Sequence, residues 1–277
     1  MNSRYQVLKE SVIGNTGVRL LLVEGIDDVA FFTNLFERLY AIDFLAENNT
    51  VLIDAGSKRN IITFLKEEPT WLGIIDRDEW RNIDLLRENH PNLHILPRFC
   101  VENYLCNPNE LSVTLSSISP LGLTDDDSQA ICNAILIHLP MYLKHAALWH
   151  TLFPMREQLL TELEFVEFFD NPVFPGDETI EERFRSWSDL IDHNRIMETY
   201  RSCIATFSSS GLADQYNIYI HGKRFWERIL YIILREPFKK LNHGKYIKEA
   251  QLKIRLFQHM FLPDDIKTFA DSIASSL

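Results

Sequence analysis

A chain of 277 residues with 46% hydrophobic content is long enough for one large or two modest domains and can bury a real core. Its net charge of −11 is a poor start for a nucleic-acid binder. Four cysteines, Cys100, Cys106, Cys132 and Cys203, form no CxxC pair and no zinc spacing, which argues against a zinc module and fits reduced thiols in a cytoplasmic protein.

The polar stretch Met1 to Glu10 lacks the basic-then-apolar build of a signal peptide, and no apolar stretch of membrane-spanning length is expected. Residues 1–17 read as an arm or first helix ending near Gly14 and Gly17. Arg19-Leu20-Leu21-Leu22-Val23 is an apolar run of strand length. It is followed by Glu24-Gly25-Ile26-Asp27-Asp28 and then by Phe32, Leu35, Phe36 and Leu39 at helical spacing. Asp27 or Asp28 is the expected N-cap of that helix. Thr50–Asp54 reads as a second strand and Gly56-Ser57 as its turn, with Ser57 capping a helix over 58–67 that Pro69 closes. Trp71 to Ile75 forms the third strand, with Asp76-Arg77-Asp78 at its carboxyl end. A short helix near 83–88 and a fourth strand over 93–96, stopped by Pro97, complete the alternation. Strands alternating with helices predict an α/β fold with a mostly parallel four-stranded sheet.

Asn107-Pro108 is a helix cap followed by the favoured first-turn proline. From there the pattern is helical: amphipathic stretches over 125–169, interrupted by Pro140 and Pro154, and over 179–206, with a loop at 170–177. A short strand over 217–220 leads into His221-Gly222-Lys223 and a helix through Leu234, and 245–277 is helical again. The expected domains are residues 1–122, α/β, and 123–277, mainly helical, with the basic segment 220–255 returning to the active site.

Asp76 and Asp78 stand at i and i+2, so an extended chain points both to one face. For the first and third strands to be neighbours the sheet must switch direction between them, which opens a crevice at its carboxyl edge. Glu24 then meets the two aspartates. Three carboxylates gathered this way repel one another unless a cation neutralises them, and an all-oxygen set suits Mg²⁺ or Mn²⁺. The plainer readings are a turn start for Asp76 and Asp78 and a strand exit for Glu24-Gly25; two acids at one strand end with a third from elsewhere favour the metal site.

Residues 220–255 hold ten Lys or Arg against three Glu, a net of +7 that leaves −18 for the rest of the chain. Arg224, Arg228, Lys239, Lys240 and Lys245 are the candidate phosphate contacts there. Phe225, Trp226, Tyr231, Phe238 and Tyr246 are interleaved and available to stack on bases. Residues 157–192 hold eleven acids against two arginines and suit a protein partner. A solvated helix face is the plainer reading of each stretch.

Strand-Glu24-Gly25, an intervening βα unit, then strand-Asp76-x-Asp78 resembles the TOPRIM domain of topoisomerases, primases and nucleases. Asp28, four residues after Glu24, is similar in spacing to the overcoming-lysogenization-defect (OLD) nucleases. Asp76-Arg77-Asp78 followed by Glu102-Asn103-Tyr104-Leu105 resembles the AriB-type effectors of the phage anti-restriction-induced (PARIS) defence system. The resemblance covers Val18 to Leu105. It implies a Rossmann-like TOPRIM sheet and a metal-dependent nuclease, with one or two Mg²⁺ or Mn²⁺ ions on Glu24, Asp28, Asp76, Asp78 and Glu102. It also implies Glu24 as a general acid or base and Lys223 as the lysine that steadies phosphoryl charge. It further implies an effector held inactive by an AriA-like ABC-type ATPase and cutting transfer RNA as a homodimer once released.

Other readings of these residues stay open: Asp28 as a helix cap, Lys223 as a helix-start surface residue, Glu102 as a surface acid. An OLD-type DNA nuclease or nickase working with a separate ATPase is the second functional class. A non-catalytic nucleic-acid- or protein-binding module is the third, and the complete carboxylate set speaks against it. The chain has no Walker loop, no Gly-x-Ser-x-Gly elbow and no HExxH order. Arg77 is expected to point away from the carboxylates.

Overall fold

A computed structural model describes residues 3–12, 17–78, 83–118, 124–162, 192–241 and 244–277. In chain order the first elements are α1 (Ser3–Val12), β1 (Arg19–Val23), α2 (Ile26–Leu39), α3 (Phe44–Glu47), β2 (Thr50–Asp54), α4 (Lys58–Glu67), β3 (Leu72–Ile75), α5 (Ile83–Asn89) and β4 (Leu93–Ile95). The four strands form one all-parallel sheet of order β2-β1-β3-β4. The chain therefore steps outward from β1 to β2 and then crosses back to lay β3 on the other side of β1. The expected switch point lies between β1 and β3.

Alternation along β1 explains why both faces are covered. Leu20 and Leu22 face one way and pack with Tyr5, Leu8, Ile61, Phe64, Leu65 and Trp71 of α1, α4 and the β3 approach. Gly73 lets α4 lie close to β3, because a Cβ there would stand 2.5 Å from Ile61 Cγ2 and 2.9 Å from Leu65 Cδ1. On α2 the buried residues are Phe31, Phe32, Leu35 and Phe36. Phe31 meets Phe257 edge-on at 4.9 Å and Phe32 meets Phe269 at 6.3 Å, so α2 is clasped by the last two helices, α13 (Glu249–His259) and α14 (Asp264–Ala274). Ser57 caps α4 as expected, its Oγ accepting the Asn60 N–H at 3.2 Å.

After β4 the chain forms α6 (Asn103–Cys106), α7 (Pro108–Ser117), α8 (Asp125–Glu162), α9 (His193–Ser209) and α10 (Leu212–Asp214). A π-helical turn (Gln215–Tyr219), α11 (Gly222–Phe225), a second π-helical turn (Trp226–Leu230) and α12 (Tyr231–Leu241) lead to α13 and α14. Asn107 caps α7 by accepting the Asn109 N–H at 3.1 Å.

Several expectations are corrected here. Pro140 and Pro154 do not interrupt α8, which runs through both. A proline inside a helix forfeits one hydrogen bond, at about 3 kcal/mol, and a face that buries Ile131, Ile135, Leu139, Tyr142, Leu143 and Ala147 outweighs that. The strand expected over 217–220 is a π-helical turn, because its carbonyls are already taken. Asn217 O accepts the Phe99 N–H at 2.9 Å, and the Asn103 side-chain amide donates to Tyr216 O at 2.6 Å and Ile220 O at 3.0 Å. The helix from Gly222 continues to Leu241, past Leu234, and 245–277 holds two helices, parted at Met260–Pro263. By length and composition Asp126–Met155 could cross a membrane, contrary to the expectation of no such stretch; 44% of its most apolar window is buried. Residues 163–191, which include the expected loop at 170–177 and most of the acidic stretch, lie outside the described residues.

The chain divides into two compact units, Met1–His138 with Tyr216–Leu277, and Leu139–Gln215. The expected boundary at 122/123 is not where they part, since the Asn103 bonds and the α2 clasp bind the C-terminal residues into the first unit. Within the second unit, His150 meets Phe207 at 5.1 Å, and Gln215 Nε2 donates to the carbonyls of Phe207 and Ser210, each at 3.0 Å.

Candidate active site

The site lies where β1 and β3, paired at Leu22 and Gly73, release the chain side by side. Glu24 is the first residue past β1, and its Oε1 accepts the backbone N–H of Asp76 at 2.8 Å. One carboxylate is thus tied across the switch point to the exit of the neighbouring strand. The N-cap of α2 is Gly25, not Asp27 or Asp28. The helix begins immediately after the glycine, so both aspartates fall in its first turn, where negative charge is favoured. Asp28 folds back, its Oδ2 accepting the Gly25 N–H at 2.9 Å.

The extended geometry expected for Asp76 to Asp78 does not hold. The strand ends at Ile75, and the Asp78 N–H bonds to Phe99 O at 2.9 Å, which turns the chain and leaves Asp78 at φ +43°. This is the left-handed region, which aspartate tolerates better than most residues. The Asp78 carboxylate consequently meets Lys58 at the start of α4, whose ammonium also lies 3.8 Å from Glu24 Oε1. Glu102 is 4% exposed, and its Oε1 lies 3.0 Å from the buried Lys253 Nζ, which reaches Asp27 at 2.8 Å. Burial and the Arg87 charge lower the Arg77 pKa against the opposing pull of Tyr219 and Asp84.

Glu24, Asp28, Asp76, Glu102, Ser57 and Lys223 line one open cleft of about 490 Å³. Burial pushes Asp76 well above the ordinary aspartate value, and the charges of Asp28, Glu24, Asp78 and Glu102 push it further. Burial, with the Glu102 and Glu24 charges, raises Asp28 to about 7. Glu24 is also raised, by burial, against the opposing pull of the Lys58 ammonium and the Asp76 N–H. Burial disfavours the Lys58 ammonium, yet Asp78 and Glu24 more than offset it and its pKa stands above the usual lysine value. His221 packs against Phe99 at 5.0 Å, and burial lowers its pKa against the opposing pull of Asp78 and Glu102.

The donors suit a hard divalent cation in kind, since all are carboxylate oxygens on one cleft with their charges incompletely balanced. Among the described residues no three His, Cys, Asp or Glu side chains converge within coordinating reach of one point. Lys58 holds the Asp78 and Glu24 side, and Lys253 holds Glu102.

No protein-family model matches the chain, and no curated protein matches it.

Of the other predicted residues, Lys223 is exposed at the lip of the cleft. It follows Gly222, where a Cβ would stand 2.2 Å from Asn103 Oδ1 and 2.9 Å from Asn103 N, so the glycine is needed for the Asn103 amide to bind this turn. Arg224 pairs with Glu227 at 3.1 Å, Lys239 lies 4.4 Å from the Tyr246 ring, and Arg228 and Lys245 are exposed. The Lys240 side chain lies outside the described residues. The expected stacking row is largely core: Phe225, Trp226 and Phe238 are buried, Tyr231 donates to Ile247 O at 3.2 Å, and Tyr246 is exposed.

Sequence reasoning missed Lys58 and Lys253. Lys58 had a usable signal, because it follows the Ser57 cap directly after β2, the strand next to β1. Lys253 had none. It sits among Leu252, Leu256 and Phe257 on the buried face of α13, and its count among ten basic residues gave no hint of burial.

The pH dependence of stability follows from these shifts. The folded protein keeps a proton on Asp28 to about pH 7 that an unfolded chain loses near 3.8. That contribution is fully present below the unfolded value and is lost as pH rises through the folded one. Asp76 and Glu24 act in the same direction. With cations chelated, Tm should therefore fall as pH rises from 5 to 8. Asp28→Asn keeps an acceptor for Gly25 and should lessen that fall by a few degrees, at about 2–4 °C per kcal/mol. A thermal scan in which Asp28→Asn reproduces the parent profile would count against this account.

Proposed function

We propose that the chain is a metal-dependent TOPRIM nuclease, an effector of anti-phage defence that cuts transfer RNA once released from an AriA-like ABC-type ATPase. On this reading it works in the cytoplasm as a homodimer. One observation carries the proposal: acids from three separate segments, Glu24 after β1 with Asp28 in the first turn of α2, Asp76 after β3 and Glu102 before α6, line one cleft at the carboxyl edge of a parallel sheet. Carboxylates that raise one another's pKa in a cleft at a topological switch point mark a functional site more often than a structural one.

Each residue then has a role. Glu24, fixed by the Asp76 N–H and raised in pKa, is placed to give or take a proton at the reacting phosphate. Glu24, Asp28 and Asp76, with Asp78 and Glu102, are the acids that would have to draw together to hold Mg²⁺ or Mn²⁺, since no three of them converge on one point in this arrangement. Such a cation, when bound, supplies a Lewis acid for the scissile phosphate. Lys223, exposed at the lip, and the basic residues Arg224, Arg228, Lys239, Lys240 and Lys245 of the same segment offer charge to the nucleic-acid backbone.

The test is expression of the wild type and Glu24→Ala in bacteria, alone and with an AriA-like ATPase, followed by gels of total small RNA and of plasmid. Trimmed transfer RNA with the wild type only is the expected result. Nicked or degraded plasmid with intact RNA would instead mark an OLD-type DNA nuclease. Unchanged RNA and plasmid in every combination would sink the catalytic reading and leave a binding module.

A further inference from the structure

The helical run from Gly222 to Leu241, made of α11, the second π-helical turn and α12, buries one side and leaves the other outside. Phe225, Trp226, Leu230, Leu234 and Phe238 are in the core. On the positions between them, Lys223, Arg224 and Arg228 are exposed, and Arg235 and Lys239 are half-buried. Glu227 and Glu236 are the acids of the same run, and each is engaged: Glu227 pairs with Arg224 at 3.1 Å, and Glu236 accepts the Tyr246 hydroxyl. Tyr246, just past the end of α12, keeps 52% of its surface open. Lys239 Nζ lies 4.4 Å and Arg235 Cζ 5.6 Å from the centre of its ring. Arg235 Nε is buried and has no hydrogen-bond acceptor among the described residues. At the other end of the run, Lys223 stands on the lip of the acidic cleft. At 1.5 Å per residue, the row from Lys223 to Lys239 spans roughly 24 Å.

Outside residues 220–255 the chain carries −18, so the rest of the molecule repels a polyanion and this row is where one can settle. An exposed aromatic ring with two cations beside it suits a narrower class. A base stacks on the ring while its flanking phosphates meet the cations. A duplex keeps its bases stacked on one another and offers no free base face, and an acidic peptide has none. We propose that Tyr246, with Arg235 and Lys239, is a stacking subsite for one unpaired base of a single-stranded nucleic acid, and that the row from Lys239 to Lys223 leads the strand to the cleft. The bond to Glu236 holds the tyrosine ring in place beforehand, so less ordering is lost on binding. The inference deepens the nuclease reading above, and rests on it for what happens to the strand in the cleft.

The experiment follows fluorescence anisotropy of a short labelled RNA of mixed sequence, of DNA of the same sequence and of the RNA duplex. The full chain is used, with EDTA present so that binding is read apart from cleavage. Tyr246→Ala should weaken single-strand binding about tenfold, the loss of one stacked base, and leave duplex binding unchanged. Tyr246→Trp, which keeps a stacking face, should bind as the parent does. Arg235→Gln combined with Lys239→Gln should weaken both forms and lower the single-strand salt slope by about 1.4, the share of two phosphates. Each variant is first shown to keep the parent's melting profile, and Tyr246→Leu replaces Tyr246→Ala if the latter does not. A Tyr246→Ala loss that is equal for strand and duplex, or below about threefold for the strand, overturns the subsite. Displacement of the strand by polyglutamate at matched charge overturns it too, and marks the row as a site for acidic peptide. Tighter binding of either strand supports the subsite, and the difference between RNA and DNA names its source. A parent that binds the strand as expected but cuts neither RNA nor plasmid overturns the nuclease reading alone.

Discussion

Asp76→Asn should cut the proposed activity by orders of magnitude and stabilise the cation-free fold at the same time. Asp76 is half-buried on the cleft, and burial together with the charges of Asp28, Glu24, Asp78 and Glu102 drives its pKa well above the ordinary value. Asparagine keeps the shape, leaves the Asp76 backbone bond to Glu24 in place, and removes a repelling charge. With cations chelated at pH 8, Tm should rise by several degrees, at about 2–4 °C per kcal/mol. On the nuclease reading proposed above, cleavage should fall by roughly 10²–10³-fold, as when one preorganised electrostatic group is taken from an active site. A site kept for chemistry trades stability for charge in this way, whereas a structural carboxylate, paired for the fold, would lose stability on the same change. Differential scanning fluorimetry beside a timed RNA digest checks both halves, and a destabilised yet fully active variant would contradict the assignment.

The second large effect concerns the support behind the cleft. Arg98 is 2% exposed, and its guanidinium donates to both oxygens of Glu110, at 2.6 and 2.8 Å, and to Asp265 at 2.8 Å, while lying 4.2 Å from the Tyr104 ring. It joins the loop before Glu102 to α7 and α14. Arg98→Met keeps the bulk but strands Glu110 with little access to water, and removing one partner of a buried pair costs about 3–5 kcal/mol. Asp265 is more open and contributes less. Urea unfolding should register the loss. A double variant, Arg98→Met with Glu110→Leu, should recover part of it, because apolar groups of similar volume can replace a buried pair. A single variant within about 1 kcal/mol of the parent would refute the argument, since that is the worth of an exposed pair.

The sheet was legible because its strands are short apolar runs ended by charge, and the position of β3 beside β1 followed from asking where Glu24 could meet Asp76. Glu24 and Asp76 were legible for the same reason, as each is the first polar group after a buried run, whereas Asp28 and Glu102 entered through the family resemblance. What stayed hidden depends on partners remote in sequence. Lys253 is 151 residues from Glu102, and nothing local marks it as a buried cation. The turn at 217–220 reads as a strand until the Phe99 N–H and the Asn103 amide are known to claim its carbonyls. Asp78 leaves the extended path because of one backbone bond to Phe99, which strand periodicity cannot foresee. Phe225, Trp226 and Phe238 look like stacking residues beside basic neighbours, and only the packing assigns them to the core.

The chain leaves the first unit after His138 and rejoins it at Tyr216, so the second unit is an excursion between two fixed points of the first. The cleft acids, Lys58, Lys223 and Lys253 all lie outside that excursion. Closing a chain segment costs free energy only with the logarithm of its length, about 0.6 kcal/mol for each doubling. Residues 139–215 are therefore the part of this polypeptide in which insertions, deletions and wholesale sequence drift are cheapest for the cleft. Selection on the excursion and selection on the cleft can therefore act separately, and the two need not compete for the same residues.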